Sequence, residues 1–480
     1  MRMKLRRIVT RTILLLGLTF ASTAIAGNHA EYVGNGPFKT GPEVTKKCME
    51  CHEAETTAFM KSVHWTWSKE QTIHGKKVEF GKKNALNNFC IGLPGNWPRC
   101  TSCHAGYGWK DGTFDFAKAE NIDCLVCHET TGKYKKFPAG AGHPVYEGDK
   151  KEFPKGKPWA PADLVAAAQS VGKPTRAACG SCHFFGGGGD HVKHGDLDTS
   201  LINPTPEIDV HMGGKAKMTC VSCHKGGKDH AIKGEALSVS VGTGTRILGC
   251  TDCHKAEPHK SVFYNKHAKK VACQTCHIPS FAKALPTKVW WDWSTAGKDV
   301  KPEDIPKDKY GMKLYDKMKG DFRWDKDVVP AYFWFNGTVD RYIAGEKIDP
   351  GKVVKLTAAR GDRNDPNAKL MPFKVMKGKQ AYDSGNNTIA YVNVFGPPTS
   401  ATAYWVTYDW NKAIAAGMKA AGQPYSGKYG FVETSMVWSV NHMVPSKDKA
   451  LTCNDCHGEK GRLDWKALGY KGDPKNPVNR

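Results

Sequence analysis

Sixteen of the 17 cysteines in this 480-residue chain fall in eight C-x-x-C-H motifs. They are Cys48/Cys51/His52, Cys100/Cys103/His104, Cys124/Cys127/His128, Cys179/Cys182/His183, Cys220/Cys223/His224, Cys250/Cys253/His254, Cys273/Cys276/His277 and Cys453/Cys456/His457. Two thiols three residues apart can each add across one vinyl group of a haem, and the next residue's imidazole reaches the iron from the proximal side. Cysteine pairs also serve zinc ribbons and disulfides. A zinc site, however, needs two pairs per metal and gives no reason for a histidine after every second cysteine. Each motif is therefore read as one covalently held c-type haem, eight in all.

The remaining cysteine, Cys90, lies ten residues before the second motif, across Leu93-Pro94-Gly95. It is either a small buried apolar side chain or a thiol facing a haem pocket. In the second case nearby positive charge would make it a thiolate, a nucleophile towards sulfur–sulfur bonds.

Nineteen histidines less the eight of the motifs leave His29, His64, His74, His143, His191, His194, His211, His230, His259, His267 and His442. A pure electron carrier wants a second histidine on every haem, whereas an enzyme needs at least one iron that is not so blocked. Position in the chain selects His64, His194, His211, His230, His259, His267 and His442 as seven distal ligands. His29, beside the processed terminus, and His74 and His143, in polar loops, read as solvated side chains. One iron is then left without a distal imidazole. Lys193, in Asp190-His191-Val192-Lys193-His194 after the flexible Gly186–Gly189, is a candidate amine ligand for it, since burial beside a metal lowers a lysine pKa.

Several segments must position these residues. Residues 1–26 read as a secretory signal: Arg2, Lys4, Arg6, Arg7 and Arg11, an apolar run over Ile13–Phe20, then Ala24-Ile25-Ala26. That run is far shorter than the roughly 20 residues of a spanning helix. The mature chain is expected to be exported to the periplasm, with no transmembrane segment. Residues 27–290 form a heptahaem region whose motif spacings, as short as 23 residues from Cys250 to Cys273, leave room for a turn and one short helix. Residues 291–440 are haem-free and rich in aromatic side chains, read as core and haem-edge packing. Short strands are expected at Tyr332–Phe335 and Thr388–Phe395, and helices at Thr402–Ala421 and from Phe431 towards His442. Residues 441–480 return the eighth haem to the array. The fold class is a mainly α, loop-rich multihaem cytochrome c with few short strands, the haem array forming the core.

A formal charge of +23 would by itself point to nucleic acid. Eight ferric haems with their propionates add roughly −8, and eight ferrous ones roughly −16. Nucleic-acid binding is thereby set aside. A bias remains towards small anionic substrates and acidic redox partners.

The eight motifs, Asn121–Thr131 (NIDCLVCHETT), Cys179–Asp196 (CGSCHFFGGGGDHVKHGD), Val271–Pro279 (VACQTCHIP) and Asn441–Val444 (NHMV) together resemble the octahaem tetrathionate reductases, relatives of hydroxylamine oxidoreductase and the multihaem nitrite reductases. The resemblance spans nearly the whole mature chain. It implies seven bis-histidine haems supplying one catalytic haem that has lysine in place of a histidine ligand, with a cysteine and an acid nearby. Carried onto this chain, the catalytic haem is the second, held by Cys100, Cys103 and His104. The cysteine is Cys90, the acid Asp190 and the lysine Lys193, with Lys173 as the alternative. Implied substrates are tetrathionate or, alternatively, nitrite or hydroxylamine. The electron source would be a redox partner protein or quinol-linked cytochrome. A non-catalytic electron conduit is the rival from a different class.

Overall fold

The computed structural model describes residues 29–234 and 248–479, so the proposed signal at 1–26 lies outside the described residues. Among the described residues no helix is long and apolar enough to cross a membrane.

Up to His277 the chain is built of short helices and turns, such as Gly41–Met49, Arg176–His183 and Val262–His267. Most motifs open a helical turn of their own. The peptide N–H of the motif histidine closes back on the carbonyl of the first cysteine, four residues earlier, at 2.9 Å for His52, 3.1 Å for His128 and 2.8 Å for His457. Segments this short cannot sustain helices without tertiary support. The haems of such a region are part of that support.

The haem-free region holds an eight-stranded sheet. Its axis is the 15-residue strand Lys369–Asp383, paired antiparallel along its length with Tyr429–Ser439 and parallel with Thr287–Asp292. Gly320–Asp325 extends the sheet beyond Thr287–Asp292, and Ala331–Phe335 pairs with Lys369–Pro372. The main hydrophobic core lies between this sheet, the helix Trp410–Ala420 and the loop 85–93, with Trp291, Trp293, Met376, Tyr391, Ile414 and Met436 fully covered. Here side chains, not haem, supply the apolar filling.

Three local expectations change. Phe431 to His442 is not helical, because the run rich in aromatic and β-branched residues from Phe431 to Trp438 pairs residue by residue with the central strand. The helix expected over Thr402–Ala421 splits into Tyr404–Thr407 and Trp410–Ala420, where Tyr408 takes φ 54°. Only Thr388–Ile389 of the strand expected over Thr388–Phe395 joins the sheet. The rest runs along the buried side chain of Asn96, which donates to Val392 O at 2.8 Å and accepts from the N–H groups of Val394 at 2.8 Å and Phe395 at 3.0 Å. Asn96 stands directly before the helical turn Trp97–Cys100. The sheet region thus anchors the entry to the second motif.

Candidate active site and haem ligands

Seven motif histidines each face one histidine from elsewhere in the chain. The pairs are His52 with His29, His128 with His230, His183 with His64, His224 with His442, His254 with His211, His277 with His259 and His457 with His267. Their ring centres are 6.1 to 6.4 Å apart. A metal–imidazole bond of about 2 Å, plus roughly 1 Å from nitrogen to ring centre, puts two axial rings about 6 Å apart. The spacing fits one iron per pair.

Ring orientation fits as well. The Nδ1–H groups of His128, His224, His230 and His267 donate to the carbonyls of Gly172, Lys233, Lys228 and Phe263. That of His457 donates to Asp473 at 2.6 Å, that of His442 to Asp196 at 3.0 Å and that of His259 to Asn265 at 3.2 Å. An engaged Nδ1–H fixes the tautomer and leaves Nε2 free for a metal. Burial pushes the Asp196 carboxyl up, but His442 and backbone N–H groups outweigh it and hold the group well below the usual range.

Two sequence expectations exchange places. His29, assigned to the surface, faces His52, because the helix His29–Val33 lies over the first motif. His194, assigned as a distal ligand, packs instead edge-on against Trp438, ring centres 4.7 Å apart, and forms no ring pair with a motif histidine among the described residues. His74 donates to Glu346 and Asp340, both at 2.8 Å, and His143 stacks on Tyr107.

Contacts between thiols of different motifs give the spatial order. Cys48 meets Cys124, Cys103 meets Cys182, Cys179 meets Cys220 and Cys250 meets Cys273. Cys127 neighbours Cys179, Cys223 neighbours Cys253 and Cys276 neighbours Cys456. The motifs therefore run first, third, fourth, fifth, sixth, seventh, eighth. The second branches off the fourth.

Some thiols of the array reach the surface. Cys51, assigned with Cys48 to the first haem, is exposed, and among the described residues it meets no thiol of another motif. Cys48 faces the third motif and Cys51 lies near Lys47, and Cys223, Cys250 and Cys253, within the line, are exposed too. Cys453, in the last motif, is exposed as well and lies 4.0 Å from the Tyr264 hydroxyl. What ties Cys51 to a haem is its motif together with the pairing of His52 and His29, not burial.

The second motif departs from the others. Its histidine N–H closes on Thr101 O at 2.8 Å, three residues back rather than four. The His104 ring is fully covered by Trp65, Trp67, Trp109 and Phe114, with ring centres 4.9 to 5.6 Å away. Its Nε2–H donates to Trp65 O at 2.7 Å, while Nδ1 is buried without a partner. Burial drives its pKa down to about 3, so the ring is neutral. The nitrogen that would reach iron is the one already engaged.

Around Cys100 and Cys103 the structure gathers Cys90 and Lys193. Cys90 sits in a tight loop: its N–H donates to Asn87 Oδ1 at 2.6 Å, Asn87 N–H donates to Ile91 O at 2.8 Å, and Ile91 takes φ 72°. For a β-branched residue that conformation is costly and persists only where the surroundings impose it. Burial raises the Cys90 pKa despite the opposing charges of Lys82, Lys319, Lys193 and Arg99, so the group is a thiol at neutral pH rather than the thiolate considered from sequence. Burial lowers the pKa of Lys193 to about 8. The lysine chain lies across Gly186, where a Cβ would stand 2.5 Å from Lys193 Cε.

Asp190 lies three residues before Lys193 in the same loop. Its carboxylate accepts from the Thr199 hydroxyl at 2.5 Å and the Thr199 N–H at 3.2 Å. It lines a cavity of about 370 Å³ together with Gly188, Lys288, Lys319, Phe322 and Trp324. Lys173 is exposed, next to the Gly172 carbonyl that holds His128. Lys82, Lys288 and Lys319 were not singled out from sequence. They are ordinary lysines in a lysine-rich chain, and only tertiary placement distinguishes them.

Residues 288–460 match the family described as "Cytochrome c bacterial", and residues 47–129 the family described as "Cytochrome c554 and c-prime". An uncharacterized protein of Archaeoglobus fulgidus is 28% identical over 220 residues, which covers 38% of this chain and 73% of that protein. The crystal structure of octaheme cytochrome c from Shewanella oneidensis aligns with a TM-score of 0.84 at 47% identity, covering 94% of this chain and 98% of that one.

Proposed function

The chain belongs to the octahaem c-type cytochromes, and from that premise we propose that it is an exported reductase in which seven bis-histidine haems feed one lysine-ligated haem. The observation that carries this reading is the asymmetry of the motif histidines: seven face a second histidine at iron-spanning distance, and His104 does not. At the second haem the iron supplies electrons to substrate when the group is bound. Cys100 and Cys103 would hold the haem there, Lys193 would offer it an amine, and His104, tied to Trp65, would leave room for substrate.

The preferred substrate is tetrathionate. Its central sulfur–sulfur bond breaks as two electrons arrive, and each half departs as thiosulfate, with no proton consumed. Both substrate and products are dianions. Lys82 and Lys319, around Cys90 and the adjoining cavity, raise the local anion concentration and stabilise negative charge as the bond opens. The Cys90 thiol lies where a sulfur chain would rest. Electrons reach this haem through the fourth, whose Cys182 meets Cys103, and are collected along the line from the first haem to the eighth.

Steady-state kinetics with a viologen donor test the reading. Tetrathionate turnover is expected to exceed that with nitrite or hydroxylamine, and Cys90→Ser to lower it with eight haems retained. Turnover of nitrite alone would transfer the assignment to nitrite reduction. Turnover of none would leave an electron conduit.

A further inference from the structure

The segment that carries Lys193 has no regular structure from Asp190 to Asp196, and His191 takes φ 53°. Its carbonyl groups must find partners outside any ladder. Four consecutive carbonyls, those of His191, Val192, Lys193 and His194, turn to two side chains of the sheet. Lys374, on the central strand, donates to Val192 O and Lys193 O, both at 3.0 Å, and to the Thr287 hydroxyl at 2.6 Å. Thr287, which opens the parallel neighbouring strand, donates to His191 O at 2.7 Å and lies 3.1 Å from His194 O.

Lys374 is 1% exposed and Thr287 0%. Among the described residues Lys374 makes no ion pair with a carboxylate. An ammonium taken out of water at high cost would be replaced without loss by an apolar side chain if it served only as filling. Here its three N–H donors are matched by three acceptors, two of them carbonyls of the Lys193 loop. The loop wraps an internal cation in the way that backbone carbonyls wrap a dehydrated metal ion. The cation is tethered to the longest strand of the sheet.

We propose that Lys374, completed by Thr287, is a positioning residue for Lys193. It ties the loop to the sheet, so that the amine would be held in place whether or not haem or substrate is bound. The proposal rests on the reading of Lys193 as the ligand of the second haem. Lys374 itself touches neither substrate nor iron.

The test compares Lys193→Ala, Lys374→Met, Thr287→Val and Thr287→Ser in the full holoprotein, by low-temperature EPR and by tetrathionate kinetics, with haem content measured on each. Lys374→Met and Thr287→Val should keep eight haems and seven unchanged low-spin signals. They should alter the signal of the second haem and lower kcat about tenfold or more with KM little changed, as supporting residues around metal ligands do. Thr287→Ser, which restores the hydroxyl, should recover the original signal and rate. If Lys374→Met does not fold, the Thr287 pair gives the same reading. A changed signal in Lys193→Ala beside an unchanged one in Lys374→Met and Thr287→Val would overturn the positioning role. An unchanged signal in Lys193→Ala would instead overturn the ligand assignment beneath it.

Discussion

The same five-residue motif does two different things in this chain. At the first motif, as at most of the others, the turn closes over four residues, and the histidine faces a partner imidazole. At Cys100–His104 the turn closes over three residues, and the histidine points its Nε2–H at the carbonyl of Trp65 inside a cage of aromatic rings. The difference teaches that C-x-x-C-H specifies attachment, whereas axial ligation is decided by what the rest of the fold packs against the ring. Six of the seven partner histidines lie on short helices and loops of the heptahaem region, and the seventh, His442, directly follows the strand Tyr429–Ser439. In the proposed reading the eighth is served by loops pinned to the sheet: Asn88 donates to Met376 O at 2.8 Å near Cys90, and Lys374 holds the Lys193 segment. Wiring and chemistry are thus built on two kinds of support.

The largest effect comes from making a wiring site resemble the catalytic one. His230→Ala removes the partner of His128 and should turn one low-spin haem into one that binds cyanide, so that two haems respond where the parent protein shows one. Next, Gly186→Ala places a methyl group against the Lys193 chain. It should perturb only the second haem and lower turnover about 10- to 100-fold, the range typical of disturbed ligand support. Asn96→Ala should act on stability: it strips the buried N–H groups of Val394 and Phe395 of their acceptor, at a cost of about 2–4 kcal/mol in chemical denaturation.

The smallest effect is at His74, which clasps the hairpin Lys69–Phe80 to Glu346 and Asp340. The Glu346 carboxylate, opposed by partial burial and aided by Asp340, raises the His74 pKa above 6.5. A raised folded pKa means that the stabilisation is complete below about 6.5 and is lost as pH rises through the folded value. The pair is partly exposed, so less than about 1 kcal/mol is at stake. Protection of residues 69–80 from hydrogen exchange, taken relative to the intrinsic rate at each pH, should fall from pH 6 to 8.5, and His74→Ala should abolish that fall.

Haem number was legible in the sequence because covalent attachment demands a fixed local pattern. Six of the seven distal assignments place a histidine where the structure pairs it with a motif histidine, and these too lie on short local elements. His29 and His194 were exchanged for a physical reason. Nearness in the chain does not say which way a ring faces, and His194 is taken by Trp438, which arrives 244 residues later on a strand. That strand was itself read as a helix, since Phe431–Trp438 shows its partner only across the sheet. Cys90 and Lys193 were candidates from their positions, the family resemblance gave them catalytic roles, and the fold brings both to the second motif. Lys374 and Thr287 carry no sequence signal at all, because their meaning lies in carbonyls some 180 and 90 residues away.

The central claim is that one iron of eight is accessible, and that it belongs to the second motif. Low-temperature EPR of the fully oxidised holoprotein, recorded before and after cyanide, tests it most directly. The account predicts that one signal shifts, that the same signal is the one altered by Lys193→Ala, and that seven bis-histidine signals stay as they were. No shift, or a shift in a signal that Lys193→Ala leaves untouched, would contradict it.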